Sequence, residues 1–215
     1  MQTKNPHRLL KERQRQERAE LILQVAEAVL AERGYQDASM DEIAARAGIA
    51  KGTVYQHFPS KEELVFALFE REAAMFLHEV EQIIATTMTA RAKLESILLC
   101  AYQGPLGQRS QVFLSLATNM DVHERKRFME KAVQIHEQMH KYIEHLAALI
   151  RTVLEAGKAE GEFDPTISTT IMVATFLSFL APKTHELLKV KEQLSPEQLV
   201  EQIGRLYFQG ITNKQ

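Results

Sequence analysis

The chain has 215 residues, of which 45% are hydrophobic and 25% are charged, and its formal net charge is −2. These ordinary values predict a globular protein with a sizeable core, and the overall charge gives no sign of a nucleic-acid partner. The single Cys100 excludes an internal disulfide, and no apolar run approaches the roughly 18 residues of a membrane span, so we expect a cytoplasmic protein without a membrane partner.

The first 18 residues differ from this average, because six basic side chains stand there against two acidic ones and give a net charge of +4. The basic residues are Lys4, Arg8, Lys11, Arg13, Arg15 and Arg18, and the acidic ones are Glu12 and Glu17. Such a stretch is typical either of a DNA-contacting segment or of a solvated tail. We predict a basic N-terminal arm over residues 1–14.

The first helix is predicted over residues 15–33, because apolar residues recur on one face at helical spacing and Gly34 follows as a terminator. Ser39 and Glu42 fit a capping box that begins a second short helix, and Gly48 supplies the tight corner at its end. A third helix is predicted over about Lys51–His57. We predict a DNA-binding domain over residues 15–60.

Ser60 and Glu63 fit a second capping box, which begins a long fourth helix. Further helices are predicted over residues 89–103, 110–120 and 124–156, the last being ended by Gly157 and Gly161. Asp164-Pro165 and Ser195-Pro196 each resemble an N-cap followed by a first-turn proline, and they predict the last two helices. The residues between these helices, 182–194, are polar and predict a loop with some helical content. The whole pattern indicates an all-α fold of about nine helices, with residues 61–215 forming a larger second domain.

Two short helices around a tight turn form a helix–turn–helix, which can hold its second helix in the major groove of DNA. Lys51 can reach guanine acceptors or a phosphate, Thr53 a base or a phosphate, and Gln56 an adenine edge. Tyr55 and His57 suit phosphate oxygens. Lys61 stands in the first turn of the next helix, where free backbone amides also attract phosphate.

Residues 39–64 have the sequence SMDEIAARAGIAKGTVYQHFPSKEEL. This run resembles the N-terminal signature of TetR-type transcriptional regulators, and the match is dense from Ala26 to Leu68. The resemblance implies DNA contacts at Thr53, Tyr55, His57 and Lys61. It also implies sequence selection at Lys51, Gly52 and Gln56, and a core position for Phe58. The complete predicted DNA-binding set is Ser39, Arg46, Lys51, Gly52, Thr53, Tyr55, Gln56, His57 and Lys61.

His136, Glu137 and His140 match the H-E-x-x-H pattern of zinc metalloproteases, in which two histidines share a helix face and the glutamate activates water. The extended patterns of those enzymes do not continue, because a glycine would be needed at Ile143 and a third histidine at Leu146. The alternative is a pair of histidines on the polar flank of a helix, with Glu144 as a charge partner of His140. We predict no enzyme, no catalytic residue, no metal site and no cofactor, and Cys100 as an inert packing residue.

The family resemblance implies that the long helices enclose an effector cavity, which polar groups among apolar ones would line. The candidate effector residues are Phe113, Leu116, Asn119, Met120, His123, His136, Met139, His140, Thr175 and Phe176. The last two helices offer apolar and small residues for a four-helix bundle between two copies. The candidate dimer residues are Ile167, Ile171, Ala174, Leu177, Ser178, Leu199, Ile203 and Leu206.

The sequence therefore predicts a repressor that binds a palindromic operator in double-stranded DNA as a homodimer and that a small, mostly apolar effector releases. Two other hypotheses remain. One is a zinc-dependent peptidase that uses His136, Glu137 and His140, and the other is a DNA-binding protein without effector control.

Overall fold

The computed structural model describes residues 6–103, 122–181, 184 and 194–212; between 122 and 139 it describes the backbone, with the side chain of Glu137. These residues form eight helices and no β-strand. The helices are α1 (Pro6–Asp37), α2 (Met40–Ala47), α3 (Lys51–His57), α4 (Lys61–Ile84), α5 (Ala90–Gln103), α6 (Val122–Ala159), α7 (Thr169–Leu180) and α8 (Pro196–Ile211). The predicted all-α fold is confirmed. The helix predicted over residues 110–120 and nearly all of the loop predicted over 182–194 lie outside the described residues.

A first hydrophobic core joins α1, α2, α3 and the beginning of α4. Ile22, Ile43, Val54 and Leu64, one from each helix, are all completely buried in it. Phe58 is also buried there, as the resemblance implies. Because these side chains fix the angles between short helices, the first core holds α3 rigidly against α2.

The corner between α2 and α3 has the geometry that its sequence predicts. Ser39 Oγ accepts a hydrogen bond from the Glu42 amide at 3.1 Å and caps α2. At the other end, Gly48 adopts a left-handed conformation with φ 65°, and the amides of Gly48 and Ile49 donate to carbonyls of the last turn. This arrangement is a Schellman motif, which requires the positive φ that glycine adopts without strain. Ile49 packs against the first core.

The start of α1 differs from the prediction, because the helix begins at Pro6 rather than near residue 15. Ion pairs one turn apart, Arg8–Glu12 at 3.0 Å and Arg13–Glu17 at 2.9 Å, favour helix in this stretch. The predicted terminator is confirmed, since Gly34 has φ 73° and interrupts the helical backbone. Most of the basic arm is therefore a helical extension of α1.

A second hydrophobic core joins the later part of α4 with α5, α6, α7 and α8. Leu94, Ile150, Phe176 and Phe208 are among its most deeply buried side chains. Helix α4 contributes to both cores, because its first turns enter the first core and Phe76 enters the second. A change in the position of α4 in one core must therefore alter its packing in the other core.

The connection from α6 to α7 corrects one prediction. Helix α6 ends in a second Schellman motif with Gly161 at φ 78°, whereas Gly157 lies inside the helix. Asp164 does not cap a helix: its carboxylate accepts from the amide and the hydroxyl of Thr166 and forms a turn. Helix α7 begins only at Thr169, because Pro165 and Thr166 belong to that turn.

Two polar contacts that are distant in sequence hold the second core together. The Glu162 carboxylate accepts from the amides of Ala90 and Arg91 and so caps the beginning of α5. The Tyr207 hydroxyl donates to the Met172 carbonyl at 2.8 Å and joins α8 to α7. The N-cap predicted at Ser195 is confirmed, and Gln198 completes a capping box with it. None of the described helices combines the length and apolar character that crossing a membrane requires.

Candidate nucleic-acid interface

One side of α3 is exposed, and it carries most of the residues predicted to contact DNA. Lys51, Gly52, Tyr55 and Gln56 are exposed, whereas Val54 on the opposite side is completely buried. A Cβ atom built on Gly52 would meet no other atom within 4 Å, so the backbone is open to solvent there. Thr53 and His57 are half-buried at the edges of this face. The structure therefore brings these predicted residues together on one accessible helix face.

Lys51 lies at the first position of α3 and has two neighbours. Its Nζ atom lies 2.7 Å from the Asp41 carboxylate of α2 and 5.8 Å from the centre of the Tyr55 ring. The hydrogen bond to Asp41 raises the pKa of Lys51, so the ammonium is charged at any physiological pH. The lysine side chain thus has a defined position beside the exposed face.

Lys61 and Ser39 lie where α4 and α2 begin. Lys61 Nζ lies 4.1 Å from the centre of the Tyr35 ring, in cation–π geometry, and donates to the Gln36 carbonyl at 3.4 Å. Ser39 is exposed, and its hydroxyl is engaged as the cap of α2. Both predicted DNA-contact residues are held in place by the end of α1 or by the adjoining helix start.

Arg46 lies differently from the other predicted cations. Its guanidinium donates to Glu32 at 2.7 Å and to Glu42 at 2.8 Å, and it joins α2 to α1. The hydrogen bond to Glu32 is the largest cause of its raised pKa. The Glu42 carboxylate, predicted to complete the capping box at Ser39, accepts from Arg46 instead. A DNA contact by Arg46 stays a prediction and would require exchange of these partners.

The basic extension of α1 lies near the end of α3. Partial burial is the largest cause that lowers the pKa of His57, and the charges of Arg15 and Arg18 lower it further. His57 is therefore neutral at pH 7 in the absence of DNA. The charges of Arg15 and Arg18 therefore act on the end of α3.

A family model agrees with this geometry. Residues 22–68 match the model of bacterial regulatory proteins of the tetR family. Residues 22–68 therefore form an N-terminal domain of the TetR family of transcriptional regulators. The matched residues span the first core, including the Gly48 corner and all of α3.

The similarity to known transcriptional regulators extends beyond this domain. The chain is 25% identical over 154 residues to the fatty acid metabolism regulator protein of Bacillus subtilis (strain 168), covering 72% of this chain and 77% of that one. It is 24% identical over 198 residues to the HTH-type transcriptional repressor KstR2 of Mycolicibacterium smegmatis, covering 92% of each. It also shares its fold with the transcriptional regulator FadR from Bacillus subtilis in complex with stearoyl-CoA, with a TM-score of 0.66 and 20% identity over 89% of this chain and 98% of that chain.

The predicted dimer residues divide into three groups by their exposure. Ile171 is 63% exposed and Leu206 is 72% exposed, and Ala174 and Ser178 are also exposed. Ile167 and Leu177 are half-buried. The prediction is wrong for Leu199 and Ile203, which are 4% and 6% exposed and pack in the second core of the chain itself. Residues of a core and of an interface between chains have the same apolar spacing, so sequence alone does not distinguish them.

The side chains of three predicted effector residues, Phe176, His140 and Thr175, lie among the described residues. Phe113, Leu116, Asn119 and Met120 lie outside the described residues, as do the side chains of His123, His136 and Met139. Phe176 is completely buried and packs on the Tyr207 ring, with 5.6 Å between ring centres. His140 and Thr175 are exposed. The described part of the chain therefore does not bring His140, Thr175 and Phe176 into one enclosed cavity.

The motif at His136–Glu137–x–x–His140 includes an ion pair on the helix surface. His140 Nδ1 lies 3.2 Å from Glu144, the charge partner that the helical spacing predicts. No group of three potential metal ligands occurs among the described residues, and the side chain of His136 lies outside them. Cys100 is half-buried, and burial together with Glu79 raises the pKa of its thiol to about 12, which disfavours the reactive thiolate.

Sequence reasoning missed one set of ion pairs between helices. Arg71 of α4 donates to Glu20 at 2.8 Å and to Glu27 at 2.5 Å, both in α1. The arginine side chain is only 17% exposed. Because the partners are 51 and 44 residues away, no local pattern in the sequence could indicate them.

Proposed function

We propose that the chain is a cytoplasmic repressor that binds a palindromic operator as a homodimer and is released by a small, mostly apolar effector. Residues 1–14 form a basic arm, residues 15–60 bind DNA, and residues 61–215 bind the effector and dimerise. The observation that carries this proposal is the exposed face of α3, held at a fixed angle by α2 and the Gly48 corner. A helix in this setting fits the major groove.

A single α3 helix contacts too few base pairs to select an operator, which favours a dimer. Seven residues contact only a few base pairs, whereas two copies spaced about 34 Å or a small multiple apart combine their affinities. The exposed Ile171 and Leu206 support a contact between copies through α7 and α8. The repressor KstR2, which aligns with 92% of this chain, supports repression as the direction of control.

The nature of the effector is inferred from relatives. The FadR structure with the same fold contains stearoyl-CoA, and another relative is named a fatty acid metabolism regulator. A long acyl thioester is mostly apolar and agrees with the effector expected from the sequence. Helix α4 supplies a route for the signal, because it enters both cores and Arg71 joins it to α1.

DNA binding is tested with a duplex that the wild-type chain selects from a random library, measured by fluorescence anisotropy. Replacing Lys51 and Tyr55 together by alanine should weaken binding at least about tenfold, since each removes a base or phosphate contact. The control Lys141→Ala removes an exposed lysine of α6 and should leave affinity unchanged. Equal affinities for the double variant and the control would refute the assignment of α3.

Effector control is tested on the same complex. Stearoyl-CoA should lower the affinity for the selected duplex, and free coenzyme A at equal concentration should not. A ligand shifts this equilibrium only by its differential affinity for the free and DNA-bound forms. If neither compound changes DNA affinity, a long acyl thioester is not the effector, while the DNA assignment is unaffected.

A further inference from the structure

The pair of Lys51 and Asp41 has a feature that DNA binding alone does not explain. Asp41 lies in the first turn of α2, and its carboxylate lies 2.7 Å from Lys51 Nζ on the side of the chain that carries α3. Both side chains are more than half exposed, at 60% and 58%, so neither is hidden from an approaching duplex. A carboxylate at this distance does not increase the affinity of a lysine for phosphate.

The carboxylate changes what Lys51 can bind. A phosphate that approaches the ammonium also approaches Asp41, and the two negative groups repel each other. A guanine edge presents the neutral acceptors N7 and O6 and meets no such repulsion. An ammonium has three N–H donors, so Lys51 can keep its hydrogen bond to Asp41 and still donate to a base. Asp41 thus penalises the contact that every DNA sequence offers.

We propose that Asp41 is a specificity-determining residue, which positions Lys51 toward a base edge such as guanine and disfavours its contact with phosphate. The proposal rests on the proposed function, because Lys51 must face DNA. Asp41 was absent from the residues predicted to contact DNA, since an acidic side chain ten positions before Lys51 has no recognisable spacing. Specificity of this kind comes from a repulsive group as much as from an attractive one.

Other cations of the domain are suited to phosphate. Lys11, Arg15 and Arg18 of the α1 extension are exposed, and none of them forms an ion pair with a described carboxylate. These side chains can attract DNA of any sequence, as counterion release requires. Lys51, in contrast, lies beside the Asp41 carboxylate, which agrees with contact to a base edge rather than to phosphate.

The test compares the selected duplex with a scrambled duplex of the same composition, using the full chain over a range of salt concentrations. Asp41→Asn keeps the shape of the side chain and removes its charge. We expect it to bind the scrambled duplex about threefold more tightly, the size of one exposed ion-pair interaction. The slope of log affinity against log salt should steepen by about 0.9, the value for one added phosphate contact. The preference for the selected duplex should fall accordingly.

Three controls separate the proposal from a general effect of charge or of folding. Asp37→Asn removes an exposed carboxylate of α1 that has no ion pair among the described residues, and it should change neither the slope nor the preference. Asp41→Glu retains the charge and should keep the preference of the wild type for the selected duplex. In a Lys51→Gln background, Asp41→Asn should have no further effect, because Asp41 acts through Lys51.

Two outcomes overturn the proposal for different reasons. If the wild-type chain selects no duplex over scrambled DNA, the proposed function fails, and the role of Asp41 fails with it. If the wild type shows a preference that Asp41→Asn leaves unchanged, or if the effect persists without Lys51, the role of Asp41 alone is refuted.

Discussion

At the scale of single residues, we expect His57 to make DNA binding depend on pH, because it is a predicted phosphate contact. Burial first, and then Arg15 and Arg18, lower the pKa of His57, so the free chain carries a neutral imidazole at pH 7. A phosphate placed beside it stabilises the charged form and raises the pKa in the complex. Binding then takes up a proton, and affinity increases as the pH falls from 8 to 6. A rise of one pKa unit on binding would increase affinity by at most about tenfold.

The measurement is operator affinity across that pH range for the wild type and for His57→Gln. Glutamine can donate to phosphate without titrating, so this variant should lose the pH dependence and keep much of the affinity. His78→Gln, at an exposed position of α4, serves as the control and should behave as the wild type does. An unchanged pH dependence in His57→Gln would show that another group is responsible.

At the scale of helices, two glycines that lie inside helices have opposite environments. Gly157 lies inside α6, where an added Cβ would come within 2.5 Å of the Phe163 ring and 2.7 Å of Ala90. Gly210 lies in α8 and would meet nothing within 4 Å. Gly157→Ala should lower the free energy of unfolding by about 1–3 kcal/mol through overpacking. Gly210→Ala should change it little or raise it by up to about 1 kcal/mol, because alanine favours helix.

Urea unfolding of the two variants and the wild type measures this difference. A Gly157→Ala chain as stable as Gly210→Ala would mean that α5 and α6 can separate at no cost. The sequence predicts a helix end at Gly157, because glycine commonly follows a helix. The close contact with Phe163 and Ala90 is a tertiary feature that glycine in a helix does not reveal.

The same distinction explains which parts of the molecule the sequence predicts. The α2–α3 corner depends on residues within one turn of each other, such as Ser39 with Glu42 and Gly48 with Ile49, so the sequence predicts it correctly. The start of α1, the cap from Glu162 to α5 and the partners of Arg71 depend on ion pairs or on distant contacts. Leu199 and Ile203 show the limit most clearly, because core and interface residues have the same periodicity.

At the scale of the whole molecule, α7 and α8 each contribute to the second core and also carry a strongly exposed apolar side chain. Ile171 and Leu206 are the most exposed large apolar side chains among the described residues, at 63% and 72%. Exposed apolar surface of this kind marks an interaction site when it is contiguous. We expect it to be covered by the same surface of a second copy across a two-fold axis.

The change that tests this expectation places a charge where the two copies would meet. Ile171→Glu with Leu206→Glu should convert a dimer of about twice 24.5 kDa into a monomer, measured by light scattering at micromolar concentration. Burying these carboxylates without partners would cost more than a dimer of this kind can supply. Met75→Glu, at a 52% exposed position of α4, is the matched control and should remain dimeric. A monomeric wild type, or a dimer that survives both charges, would refute this interface. The monomeric variant should also bind the selected duplex weakly, although its α3 face is intact, because one copy contacts half of a palindrome.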